Sequence, residues 1–97
     1  MKKVYYVYMM TNKYNTVLYT GMTGFIAKRG WQHKQKIIEG FTKKYNAGKM
    51  VYFETFTNVY DAINREKQLK GWTRIKKEAL INKVNPDWKD IYTEAFR

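Results

Sequence analysis

Glu66 is the acidic residue whose position most invites a chemical reading. It lies three residues after Ile63 and three before Leu69. In a helix it therefore shares a face with Ala62, Ile63, Leu69 and the stem of Lys70. A carboxylate on an apolar face is costly unless it is paired or bound to a cation. An ion pair with Arg65 or a neighbouring lysine would satisfy it, and so would a divalent metal. A hard carboxylate oxygen suits Mg²⁺ or Mn²⁺, with water in the other positions.

Arg29 and His33 are four apart, so they project from one face of a helix. A histidine beside an arginine favours its neutral form, which can accept a proton. The alternative is a solvated basic face. Nine tyrosines are many for this length, and most must pack. Tyr6 and Tyr8 share one face of a strand and Tyr5 takes the other. Tyr19 lies just before Gly21, where a hairpin could set it opposite Tyr6 or Tyr8. A phenol, with a pKa of about 10, serves as a base only beside cations, which Arg29 and a bound metal could supply. Tyr5 and Tyr52 read as ordinary core.

Phosphodiester hydrolysis requires a deprotonated water, cationic stabilisation of the phosphoryl oxygens, help for the leaving oxygen, and a basic surface to hold the polymer. The surface is plain in the sequence. Arg65, Lys67, Lys70, Arg74, Lys76 and Lys77 form one basic run, and Lys43, Lys44 and Lys49 add to it. Trp72 lies inside the run. It could stack on a base, but beside a helix break it reads rather as a core anchor.

The elements that must position these groups follow from local pattern. Val4 to Met10 and Thr16 to Thr20 read as two strands of an antiparallel hairpin, with Thr11 to Asn15 as the turn and Gly21 as the end. Thr23 is a candidate cap for a helix from about Ile26 to Glu39, interrupted in pattern by Gly30 and stopped at Gly40. Met50 to Phe56 is a third strand. Asn58 can cap a helix from Val59 to Lys70, ended by Gly71. Thr73 can cap another from Arg74 to Lys83, and Asn85-Pro86 then breaks the chain. The residues after it, with Trp88, Ile91, Tyr92 and Phe96, are apolar enough to dock back. The order ββαβαα predicts an α+β fold, a three-stranded antiparallel or mixed sheet flanked by helices.

Bulk properties narrow the function. The 97 residues fit one domain spanning 1–97. The absence of cysteine excludes disulfides, zinc–thiolate sites and thiol nucleophiles. One histidine excludes histidine-rich metal sites. No apolar run suits a signal peptide or a membrane span, so the expected location is the cytoplasm. The formal net charge of +11 calls for a polyanionic partner. Nucleic acid fits better than an anionic membrane surface, which would need a wide apolar helix face.

Taken together, these residues resemble the GIY-YIG nuclease superfamily, and among its members the small stand-alone excinuclease-C-like or UPF0213-like proteins. Tyr6-Val7-Tyr8 stands for the first half-motif and Tyr19-Thr20-Gly21 for the second. Tyr6 takes the place of the motif's glycine and Thr20 that of its isoleucine. Thr23 to His33, Phe41 to Asn46 and Ala62 to Lys77 extend the resemblance over nearly the whole chain. It implies a small antiparallel sheet flanked by helices and a metal-dependent endonuclease acting on DNA, structure-selective or of a repair type. It further implies that Tyr8 and Tyr19 are the motif tyrosines, with Tyr19 activating or orienting the attacking water. Arg29 would stabilise the transition state, and His33 would assist proton transfer or bind phosphate. Glu66 would hold one divalent cation, Mg²⁺ or Mn²⁺. A monomer is the favoured state. The competing readings are a non-catalytic nucleic-acid-binding module on the same fold and a basic structural protein bound to RNA.

Overall fold

The computed structural model describes residues 3–29, 47–92 and 95. Its elements are β1 (Tyr5–Thr11), β2 (Leu18–Thr23), β3 (Lys49–Phe56), α1 (Val59–Lys70) and α2 (Arg74–Val84). The three strands form one sheet in the order β2-β1-β3, with both pairs antiparallel. The architecture is α+β, as the pattern predicts. The helix expected from Ile26 is described only over residues 26–29, where Arg29 N–H donates to the Phe25 carbonyl at 2.9 Å. The rest of that helix, with His33 and Gly40, lies outside the described residues, as do Lys43 and Lys44.

Local chemistry explains the turns and caps. Asn12 folds the hairpin loop by accepting from Thr16 N–H at 2.8 Å and donating to Thr16 Oγ1 at 2.6 Å. Asn15 takes φ 58°, a left-handed conformation that asparagine tolerates. The side chain of Asn58 caps α1, accepting from Tyr60 N–H at 2.8 Å. Thr73 caps α2 through Lys76 N–H at 3.3 Å. Thr23 does not cap a helix. It is the last residue of β2, and its hydroxyl accepts from Phe25 N–H at 3.0 Å, which turns the chain sharply out of the sheet.

The pleat of β1 divides the core in two. Val7 and Met9 face the helices and pack with Val51, Ala62, Leu69 and Ile81. Tyr8 and Met10 face the other way and pack with Ile26, Ala47 and Met50. Leu69 and Ile81 are fully buried, and burial of each stabilises the fold by about 1.5–3 kcal/mol. Trp72 packs against the helix-side cluster, so its anchoring role holds.

As far as Tyr92 the chain after α2 docks back on the sheet, as its apolar content predicts, while Phe96 lies outside the described residues. The buried Asn85 donates to the carbonyls of Val51 at 3.0 Å and Lys89 at 2.9 Å. Ile91 N–H donates to the Met50 carbonyl at 2.8 Å, and Asp90 accepts from Met50 N–H at 3.2 Å. Tyr92 then reaches across to donate to the Ala27 carbonyl at 2.6 Å. The C-terminal segment thus holds the turn that carries Arg29.

Candidate active site

Tyr8 sits in the middle of the central strand and is 1% exposed. Its cross-strand partner on β2 is Gly21, while Tyr19 pairs with Met10. The sequence reading allowed Tyr6 or Tyr8 opposite Tyr19; the register is instead two residues away, and the two tyrosines meet diagonally. Diagonal neighbours on one face are within reach of long side chains. Here the ring centroids are 6.2 Å apart and the phenols are hydrogen-bonded.

Gly21 makes that meeting possible. A Cβ at this position would lie 2.6 Å from the Tyr8 hydroxyl oxygen and 2.9 Å from Tyr19 Cε1. The Tyr8 ring lies across the space that any other residue would fill. Gly21 therefore does not end β2, which continues to Thr23. Glycine reads as a breaker by type, but this one is required by a neighbour.

Three more groups bear on Tyr8 electrostatically. Burial pushes its phenol far above the ordinary value, Tyr19 and Glu66 push in the same direction, and Arg29 opposes them. Tyr8 accordingly stays neutral and can donate a hydrogen bond but not act as a base. Of the described members of the sequence-derived set, Tyr19 is in direct contact with Tyr8, while Arg29 and Glu66 act on its phenol only through their charge. Glu66 is carried by α1, which packs on the Val7–Met9 face of the sheet. Arg29 also lines a small cavity of about 130 Å³ with Thr23, Phe25 and Lys28.

Glu66 lies on α1, which packs on β1 and the edge strand β2. Its side chain is 22% exposed, and Lys70 approaches its carboxylate at 3.6 Å. Arg65 does not pair with it. That arginine grips Glu54 on β3 through Nε and Nη2, both at 2.9 Å, and donates to Gln68 at 2.7 Å. Tyr52 also donates to Glu54. Arg74 is similarly committed, donating to Glu78 and to the hairpin-loop carbonyls of Thr16 and Asn15 at 2.9 and 2.6 Å. Two arginines expected on a polyanion surface therefore have their donors turned to protein acceptors. Lys67, Lys70 and Lys76 are exposed and Lys77 is half-buried. Burial, then Arg74 and Lys70, lower the Lys77 pKa.

Sequence reasoning missed Glu54, the clearance role of Gly21 and the Tyr92–Ala27 contact. An exposed-looking acid and a late tyrosine give no local signal of partners 11 and 65 residues away. Among the described residues no helix is long and apolar enough to cross a membrane.

Known proteins share the family and the fold. The family model described as the GIY-YIG catalytic domain matches residues 4–79. A UPF0213 protein of Clostridium perfringens is 38% identical over 77 residues, covering 79% of this chain and 82% of its own. UPF0213 proteins of Haloquadratum walsbyi and Pediococcus pentosaceus are 31% and 33% identical, each over at least 81% of this chain and 82% of its own. The solution structure of a UPF0213 protein from Bacillus halodurans superposes with a TM-score of 0.58 at 22% identity, over 97% of this chain and 99% of that one, and so shares the fold. The chain belongs to the GIY-YIG family of nuclease-type catalytic domains, and within it to the UPF0213 proteins.

Proposed function

We propose that the protein is a metal-dependent endonuclease that hydrolyses phosphodiester bonds in DNA, using Tyr8, Tyr19, Arg29 and Glu66 as one site. The observation that carries this reading is the convergence on the Tyr8 phenol. Tyr19 is hydrogen-bonded to it, and the charges of Arg29 and Glu66 both reach it. Tyr8, kept neutral, orients Tyr19. Tyr19 positions the attacking water. Arg29 meets the charge that grows on the phosphoryl oxygens, a role whose loss costs about 10²–10³ in rate in comparable settings. His33 joins the proposal from its place in the sequence, to assist proton transfer or bind phosphate.

The residues present fit a single divalent cation. Glu66 offers one partly exposed carboxylate whose lysine partner is at 3.6 Å, beyond hydrogen-bond range. No cluster of three or more acidic or histidine ligands occurs among the described residues. Mg²⁺ is commonly held by one or two carboxylates, water and the substrate's own phosphate. Bound there, the cation would neutralise charge on the leaving oxygen. Lys67, Lys70, Lys76 and Lys77, with Lys43 and Lys44, supply the surface for the polymer. Arg65 and Arg74 add long-range charge to it.

Supercoiled-plasmid nicking tests the proposal. Wild type nicks with Mg²⁺ and not with EDTA, and Glu66→Gln or Arg29→Ala reduces the rate by about a hundredfold or more. Equal nicking by wild type and Glu66→Gln would remove the site from consideration.

A further inference from the structure

Phe25 follows the turn at the end of β2 and is 66% exposed. A single exposed ring is ordinary, but one that adjoins several other apolar groups forms a contiguous patch of the kind that marks binding surfaces. Phe25 lines a groove of about 620 Å³ together with Val4, Tyr6, Ile26 and two cations, Lys3 and Lys28. The Lys3 ammonium sits 3.4 Å from the centre of the ring. The ammonium covers one face of the ring, and the residue as a whole stays largely exposed.

The neighbouring cavity is of opposite character. It is small, and Arg29 and Lys28 line it beside Thr23. Phe25 and Lys28 line both cavities. An apolar, aromatic compartment and a cationic one thus share a wall. That pairing matches the two halves of a nucleotide, a flat base and a phosphate. A base inside a duplex cannot enter such a groove, because both of its faces are stacked on neighbours. The charge on the rim excludes a cationic occupant.

Resting on the endonuclease reading above, we infer that the Phe25 groove seats an unpaired base of the DNA strand whose phosphate lies against Arg29. The substrate is then single-stranded or carries an unpaired nucleotide at the cut. Stacking on one aromatic side chain typically accounts for about tenfold in affinity or more.

Fluorescence anisotropy in EDTA, where no cleavage occurs, separates the possibilities. The probes are labelled oligothymidine and a blunt duplex of equal length, at one fixed salt concentration. Phe25→Ala weakens binding of the single strand about tenfold and changes duplex binding less than twofold. Phe25→Trp restores single-strand binding. Tyr60→Ala, which removes an aromatic 73% exposed on α1, changes neither. The inference is overturned if Phe25→Ala leaves single-strand affinity intact, or if it weakens both probes equally. It is also overturned if wild type is a dimer by sedimentation that Phe25→Ala dissociates, which would assign the groove to a second copy. If wild type binds neither probe, the nucleic-acid reading itself fails. If wild type binds and nicks while Phe25→Ala is silent, only the groove assignment fails.

Discussion

The Tyr8 hydroxyl occupies the space where a side chain on Gly21 would begin, 2.6 Å from the built Cβ. Gly21→Ala must therefore push Tyr8 and Tyr19 apart or bend β2. Overpacking of this kind costs about 1–3 kcal/mol. We expect the variant to fold, to melt at lower urea concentration, and to lose at least tenfold in nicking. Gly71 provides the contrast. Its backbone is in the right-handed helical region, and a Cβ would meet nothing closer than 3.5 Å. Gly71→Ala should stabilise by about 0.4–1 kcal/mol through the unfolded chain and leave nicking unchanged. Equal behaviour of the two variants would mean that the tyrosine pair does not depend on the clearance.

Tyr8→Phe separates a positioning phenol from a base. Burial holds the Tyr8 proton in place far into the alkaline range. Removing the hydroxyl should slow nicking by about tenfold to a hundredfold by freeing Tyr19. The pH at which activity rises should not move. A pH–rate profile that loses its rising limb in Tyr8→Phe would make Tyr8 the base after all.

Glu54 contributes stability that depends on acid. Burial alone would raise its carboxyl, but hydrogen bonds from Arg65 and Tyr52 outweigh burial and hold it below its ordinary value of 4.5. A depressed folded value means that the contribution is fully present above 4.5 and is lost as pH falls through the lower, folded value. Glu54→Gln should cost about 1–3 kcal/mol near neutral pH, because Arg65 loses its charged partner. In acid, below the ordinary carboxylate range, the gap to wild type should narrow. Urea melts at the two pH values test this, and a gap that is constant with pH counts against it.

Thr20 is buried on β2, and its hydroxyl has no hydrogen-bond partner among the described residues. An unsatisfied buried polar group costs about 1–3 kcal/mol. Thr20→Val keeps the shape and removes the hydroxyl, so it should raise the urea midpoint by about 1 kcal/mol of stability. A destabilised Thr20→Val would imply that the hydroxyl is satisfied in solution.

How much was legible in the sequence depended on how local the cause was. The helix from Val59 to Lys70 and its Asn58 cap were readable, because capping and apolar period act within a few residues. The antiparallel hairpin was readable for the same reason. Its register was not, because Tyr19 meets Met10 through the geometry of the Asn12–Thr16 loop rather than through residue type. Charge was legible, but commitment was not. Arg65 and Lys67 look alike in the sequence, yet Arg65 is held by an acid on β3. Arg29 and Glu66 were singled out by spacing, and the family resemblance supplied their proposed roles. What holds the Arg29 turn, the distant Tyr92, carried no signal.

The position of β1 between its two partners also sets an order of assembly. The β1–β2 pairing closes over a short loop, an event of about 1–10 microseconds. Addition of β3 and α1 must close a much longer stretch of chain, at a correspondingly larger entropic cost. On a chain emerging N-terminus first, the two tyrosines and Gly21 can meet well before Glu66 exists. The carboxylate is the last of these groups to arrive, so under the proposed mechanism a nascent or truncated chain would have its aromatic half in place and no means of cutting.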